Sequence, residues 1–151
     1  LAGCTNNEKQ RIFEDEAHQR PQGITQTSEN GQIKNTDIDD WRISPRYQGL
    51  LRVETPAYRN PVLASTFRID LYITSIEAID NVLVYALNED GKFFDTGFRG
   101  GNISAGLYPI TVSTDMLMPP STAHTADLYR IIIQDGKRRT ITYGDVQIGI
   151  Q

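Results

Sequence analysis

The chain of 151 residues has one cysteine, Cys4, and two histidines, His18 and His124. A single cysteine excludes an intrachain disulfide, a haem held through Cys-x-x-Cys-His, and cysteine-built zinc or iron–sulfur centres. Neither histidine stands in a recognisable catalytic motif, so no nucleophile and base can be paired from the sequence. No apolar run approaches the roughly 18–20 residues of a membrane-spanning helix. There is no basic excess either. The chain carries 15 Lys and Arg against 19 Asp and Glu, a net charge of −4, which excludes the electrostatic footprint of a nucleic-acid binder. The three glycines of "GFRGGN" (97–102) precede no helical pattern, so no phosphate-binding loop is expected there.

Large apolar residues are also scarce over residues 5–40, where Ile12, Phe13, Ile24, Ile33 and Ile38 are the main ones. The same stretch holds 8 acidic and 4 basic residues, while residues 41–151 hold 11 of each, so the net charge sits wholly in the first quarter. "RPQG" and "TSENGQ" are turn signals, and "EKQRIFEDEAHQR" has room for a short helix without a sustained apolar stripe. The composition predicts an extended polar arm over residues 5–40. As a free coil its 36 residues would span roughly 33 Å. An arm ordered against a protein partner would use Ile12, Phe13, Ile24 and Ile33 as anchors, and docking on its own body is the alternative.

From Trp41 onward the hydrophobic period is two. "TFRIDLYIT" alternates Phe67, Ile69, Leu71 and Ile73 with Arg68, Asp70, Tyr72 and Thr74, which is the pattern of a half-buried strand. "NVLVYALN" is apolar on both sides and suits a central strand, and Asp90-Gly91 then turns the chain into a return strand over 93–98. "SAGLYPITV" is a strand whose Pro109 places it at an edge or a bulge. "DLYRIIIQDGKRRTITYGDVQIGI" is a hairpin, and its apolar parity changes near Gly144, the expected bulge. With "GLLRVE" these make about seven strands. The fold expected is all-β, an antiparallel immunoglobulin-like β-sandwich over residues 41–151, with Tyr129 placed to form a tyrosine corner on the penultimate strand.

Two resemblances extend this reading. Leu1-Ala2-Gly3-Cys4 resembles the lipobox of bacterial lipoproteins, an aliphatic residue, two small residues and the cysteine. It is followed by a polar stretch with no core in which Cys4 could be buried. The resemblance implies cleavage of a signal peptide before Cys4, a diacylglycerol on its sulfur, and a membrane-anchored place in the bacterial cell envelope. Acyl chains stabilise such anchoring by about 0.8 kcal/mol per buried CH₂. "PAYRNPVLASTFRIDLYI", "NVLVYALNEDGK", "SAGLYPITV" and "DLYRIIIQDGKRRT" resemble the immunoglobulin-like module of flagellar hook-capping proteins and of type IX secretion sorting domains. Arg59 stands where the latter begin with proline, and "EDGKFFDTGF" departs from their turn. This likeness implies the fold and no sorting role.

Other chemistry-bearing clusters have plain explanations. Asp37, Asp39 and Asp40 supply oxygens that suit calcium but lack the loop spacing of a calcium hand, so an acidic linker ahead of Trp41 is favoured and no metal is expected. Lys137-Arg138-Arg139 is a basic hairpin tip that solubilises its turn and offers a contact to lipid headgroups or an acidic surface. Met116 and Met118, in the long loop "MLMPPSTAHT", are adaptable partner-facing candidates. The function expected is non-enzymatic and without a cofactor beyond the lipid on Cys4. The chain would be an accessory subunit of a larger membrane-associated assembly, respiratory or transport in kind. The alternative is a free-standing surface lipoprotein that binds a ligand, glycan or adhesion partner through sandwich-end loops.

Overall fold

The computed structural model describes residues 5–74, 79–101, 103–115, 117 and 127–148. Seven long strands build the body: β4 (Leu51–Tyr58), β5 (Thr66–Ile73), β6 (Leu83–Asn88), β7 (Phe93–Arg99), β8 (Gly106–Ser113), β9 (Asp127–Gln134) and β10 (Thr140–Ile148). Ahead of them come a helix, α1 (Asn6–Ala17), and three short strands, β1 (Gln26–Thr27), β2 (Ile33–Asn35) and β3 (Arg42–Ile43). One sheet has the order β4-β5-β8 and the other β3-β10-β9-β6-β7, while β1 and β2 form a separate hairpin. All these named pairings are antiparallel. Strands one, two and five of the body face strands three, four, six and seven, which is the immunoglobulin-type division of a sandwich.

The alternation read in β5 is realised. Phe67, Ile69, Leu71 and Ile73 are buried and meet Val84, Ile131, Ile133 and Ile141 of the opposing sheet in one core. β6 lies between β9 and β7, as its two apolar faces require. Among the described residues β8 pairs with β5 alone, so Pro109, opposite Asp70, sits on an edge where a missing donor costs little. Tyr129 forms the corner bond. Its hydroxyl donates to the Leu117 carbonyl at 2.7 Å, twelve residues upstream and out of solvent.

Two expectations are corrected. Gly144 is no bulge. Pairing runs unbroken through Gly144 and Ile131, and the register shifts between Thr140 and Thr142 instead. A Cβ at residue 144 would collide with the ring of Trp41, so glycine is there because the indole lies flat on the strand. Residues 5–40 are not an extended arm beside an independent body. Thr5 caps α1 by accepting the Glu8 N–H at 3.1 Å, and the helix lies on the outer face of the five-stranded sheet. The molecule therefore has three layers: the N-terminal segment, the five-stranded sheet and the three-stranded sheet.

Candidate functional site

The surface that matters most is the one the N-terminal segment covers and borders. The outward positions of three neighbouring strands are apolar there: Leu87 on β6, Ile132 on β9 and Tyr143 on β10. They are buried under Phe13 and Ala17, one turn apart on α1. The Phe13 and Tyr143 rings tilt at 57° with centroids 5.1 Å apart. The Arg42 guanidinium lies 5.7 Å from both centroids and bonds to the Tyr143 hydroxyl. Polar side chains pin α1 at its second and third turns. Gln10 donates to the Thr140 carbonyl at 3.1 Å and accepts from the Arg46 N–H at 3.1 Å. The Glu14 carboxylate accepts from the Thr140 N–H at 2.7 Å and from its hydroxyl.

Beyond the helix, a buried polar seam carries the attachment. Arg130 and Asp145 face each other across β9 and β10 and form a two-pronged ion pair at 2.8 and 3.1 Å. They are 4 % and 1 % exposed. The second Asp145 oxygen also accepts the N–H groups of Gln22 and Gly23, at 2.9 and 3.3 Å. Arg130 donates to the Glu16 carbonyl at the end of α1, at 2.8 Å. Asp40 accepts from the N–H of Thr25 and of Asp145, each at 3.1 Å. Burial, then the charges of Asp145 and Asp37, push its carboxyl up to about 8. Asn60 completes the seam, donating to the carbonyls of Thr25 and Asp145 and accepting the Gln147 N–H at 3.0 Å. Asp40 is thus a buried tie, not part of a solvated acidic linker, although Trp41 behind it is the core anchor expected.

The four apolar residues expected as partner anchors divide. Phe13 is 5 % exposed and committed to the chain's own sheet. Ile24 is half-buried. Ile12 and Ile33 remain 44 % and 50 % exposed. Ile12 borders an open groove of about 480 Å³ between α1 and β3, lined also by Phe13, Ile43 and Pro45 and by the charged residues Lys9, Glu16 and Arg42. Cys4, Met116 and Met118 lie outside the described residues. His18 is exposed, with Nδ1 2.8 Å from the Glu14 carbonyl and its ring stacked on Phe93 at 5.9 Å. Among the described residues, no three His, Cys, Asp or Glu side chains gather as metal ligands, and no helix is long and apolar enough to cross a membrane.

The sequence reading missed Arg130, Asp145 and Asn60. A signal existed for the first two: opposite charges at outward positions of adjoining strands whose neighbouring outward positions are apolar.

Strand order and the corner tyrosine define an antiparallel β-sandwich of immunoglobulin type with a helical cover on one sheet. No protein-family model matches the chain, and no curated protein matches it. Among solved structures the chain is similar to the PKD domain of an M14-like peptidase from Thermoplasmatales archaeon SCGC AB-540-F20. The identity is 13%, over 67% of this chain and 92% of that one, with a TM-score of 0.30. At that score the fold rests on the strand order described above, not on the likeness.

Proposed function

We propose that this is a lipid-anchored protein of the bacterial cell envelope, without enzymatic activity, that serves as an accessory subunit of a membrane-associated assembly. The observation that carries the reading is the join between the Leu1-Ala2-Gly3-Cys4 pattern and the docked helix. Thr5, the residue bonded to Cys4, is already the cap of α1, and α1 is fastened to the sandwich along its length. The free reach of roughly 33 Å expected of a coil is gone. A body held this close to its anchor meets neighbours in the same membrane more readily than distant ligands. This favours the accessory role over the free-standing surface binder. The contact surface would be the open strip beside α1, where Ile12, Ile43 and Pro45 border the groove. The respiratory or transport nature of the assembly is an expectation from the sequence alone.

Intact mass of the protein purified in mild detergent, with identification of the chains that accompany it, tests the proposal. An acylated Cys4 with stoichiometric partners is the expected result. An acylated chain that purifies alone overturns the accessory role. An unmodified chain that still bears Leu1-Ala2-Gly3 overturns the anchor.

A further inference from the structure

We infer that the sandwich end formed by the first turns of α1, the turn at Pro45–Tyr47 and the β9–β10 hairpin tip is a docking surface for anionic lipid headgroups. The inference deepens the lipid-anchored reading. It rests on that reading for the orientation of the body, not for the binding itself.

Two independent observations meet at this end. The first is position. Gln10 bonds to both Thr140, where β10 begins, and Arg46. The start of α1 is thereby fixed beside the β9–β10 tip, and Thr5, which carries the bond to Cys4, precedes it. The second is charge. Lys9, Arg46, Lys137 and Arg138 are all exposed here, and among the described residues none forms an ion pair. The neighbouring cations Arg139 and Arg99 are already paired, with Asp135 and Asp95. Three further acids stand at this end, Glu8, Glu14 and Asp80; Glu14 is tied to Thr140, accepting its N–H at 2.7 Å, and Asp80 accepts the Gly136 N–H at 3.0 Å. The β9–β10 tip is held rigid. Asp135 is buried beneath it and accepts the N–H groups of Lys137 and Arg139, each at 2.9 Å. Lys137 and Arg138 are therefore displayed without a loop having to order on contact.

The opposite end has the other sign. Glu89 and Asp90 in the β6–β7 turn and Asp127 at the start of β9 gather there, with Lys92 drawn over the Phe94 ring at 5.1 Å and the Arg20 guanidinium beside Gly91 as the cations. The chain as a whole is negative and is repelled by an anionic surface. Only a segregated basic end can reverse that, and each Lys or Arg brought within a Debye length of such a surface adds to the attraction.

The test uses the full chain with Cys4→Ser, so that no acyl chain contributes. Sedimentation with phosphatidylglycerol vesicles is compared with sedimentation with phosphatidylcholine vesicles at low salt. The expected result is a preference of about tenfold for phosphatidylglycerol, abolished by salt that shortens the Debye length to roughly 3 Å. The Lys137→Glu/Arg138→Glu pair should remove most of the preference, as should Lys9→Glu/Arg46→Glu on a different element. Lys34→Glu/Lys92→Glu, the same charge change away from this end, should leave it. Equal binding to both lipids overturns the inference, as does an equal loss from the control pair. Either result has the same meaning whether or not native Cys4 proves to be acylated, so the surface and the anchor can fail separately.

Discussion

Arg130 and Asp145 sit opposite each other in register on β9 and β10, and their buried ion pair reaches out of the sheet to hold residues 16, 22 and 23 of the N-terminal segment. A paired charge in such a place costs desolvation, and its net contribution to stability is small. Its effect is positional. With Asn60 and Asp40 it fixes where a polar segment with few apolar residues must lie.

Removing one member leaves the other buried and uncompensated. Arg130→Ala is expected to destabilise the fold by about 3–5 kcal/mol, read from urea unfolding. Arg130→Met/Asp145→Leu should recover only part of this loss, because Asp145 also accepts the N–H groups of Gln22 and Gly23. Full recovery would mean that the segment does not depend on those bonds.

Asp40 makes stability depend on pH in an unusual direction. Its carboxyl is raised from 3.8 to about 8 by burial and by the negative charges of Asp145 and Asp37. The folded state therefore binds a proton that the unfolded chain releases above its ordinary value. The stabilisation is complete below about pH 4 and is lost as pH climbs through 8. Carboxylates held below their ordinary range behave oppositely. In Asp135, burial pushes upward but the bonds from Tyr47 and Arg139 prevail, and in Asp95 the bond from Arg99 dominates. Their contribution is lost only as the medium turns acidic, below the window that Asp40 governs. Melting temperature should thus fall from pH 5 to pH 8, and Asp40→Asn should flatten that slope. An unchanged slope would remove Asp40 as its source.

Much of the sandwich was legible because burial on one face writes a period of two into the chain, as β5 shows residue by residue. Turn chemistry at Asp90-Gly91 marked one hairpin, and Pro109 marked an edge. The placement of residues 5–40 was not legible from their own composition, since they dock through hydrogen bonds to backbone groups far along the chain. The complementary signal lay in the body. Leu87, Ile132 and Tyr143 are apolar at outward positions, and an outward apolar patch on an immunoglobulin-type sheet calls for a cover. Gly144 was misread for a related reason. A glycine in a strand marks either a bulge or a close approach, and only the position of Trp41, far earlier in the chain, decides for the approach.

That cover is structural, so deleting residues 5–40 should not leave an intact body. Leu87, Ile132 and Tyr143 would face water, and Arg130 and Asp145 would lose their outer partners. Loss of cooperative unfolding and gain of a hydrophobic dye signal are expected. A truncated chain with a native melting transition would show that the segment is only a passenger.

The corner tyrosine offers a bond that can be tested without altering shape. Tyr129→Phe keeps the ring but leaves the Leu117 carbonyl without its donor out of solvent. The expected loss is about 1–3 kcal/mol, measured by denaturant midpoint. A change within error would mean that water takes the donor's place.

Ile12 and Phe13 are neighbours in sequence with opposite fates, and the contrast separates fold from association. Phe13→Ala removes a ring packed on Tyr143 and should cost about 3 kcal/mol of stability, with any loss of partners following from the loosened segment. Ile12 is half in solvent at the edge of the groove, so Ile12→Glu should change stability by no more than about 0.5 kcal/mol. If the strip beside α1 is where a neighbouring subunit docks, that exposed change should strip the accompanying chains from the detergent-purified protein while its melting curve stays put. Ile33→Glu, equally exposed but on the β1–β2 hairpin, serves as the comparison. Loss of partners from Ile33→Glu and not from Ile12→Glu would move the docking surface from the helix to the hairpin.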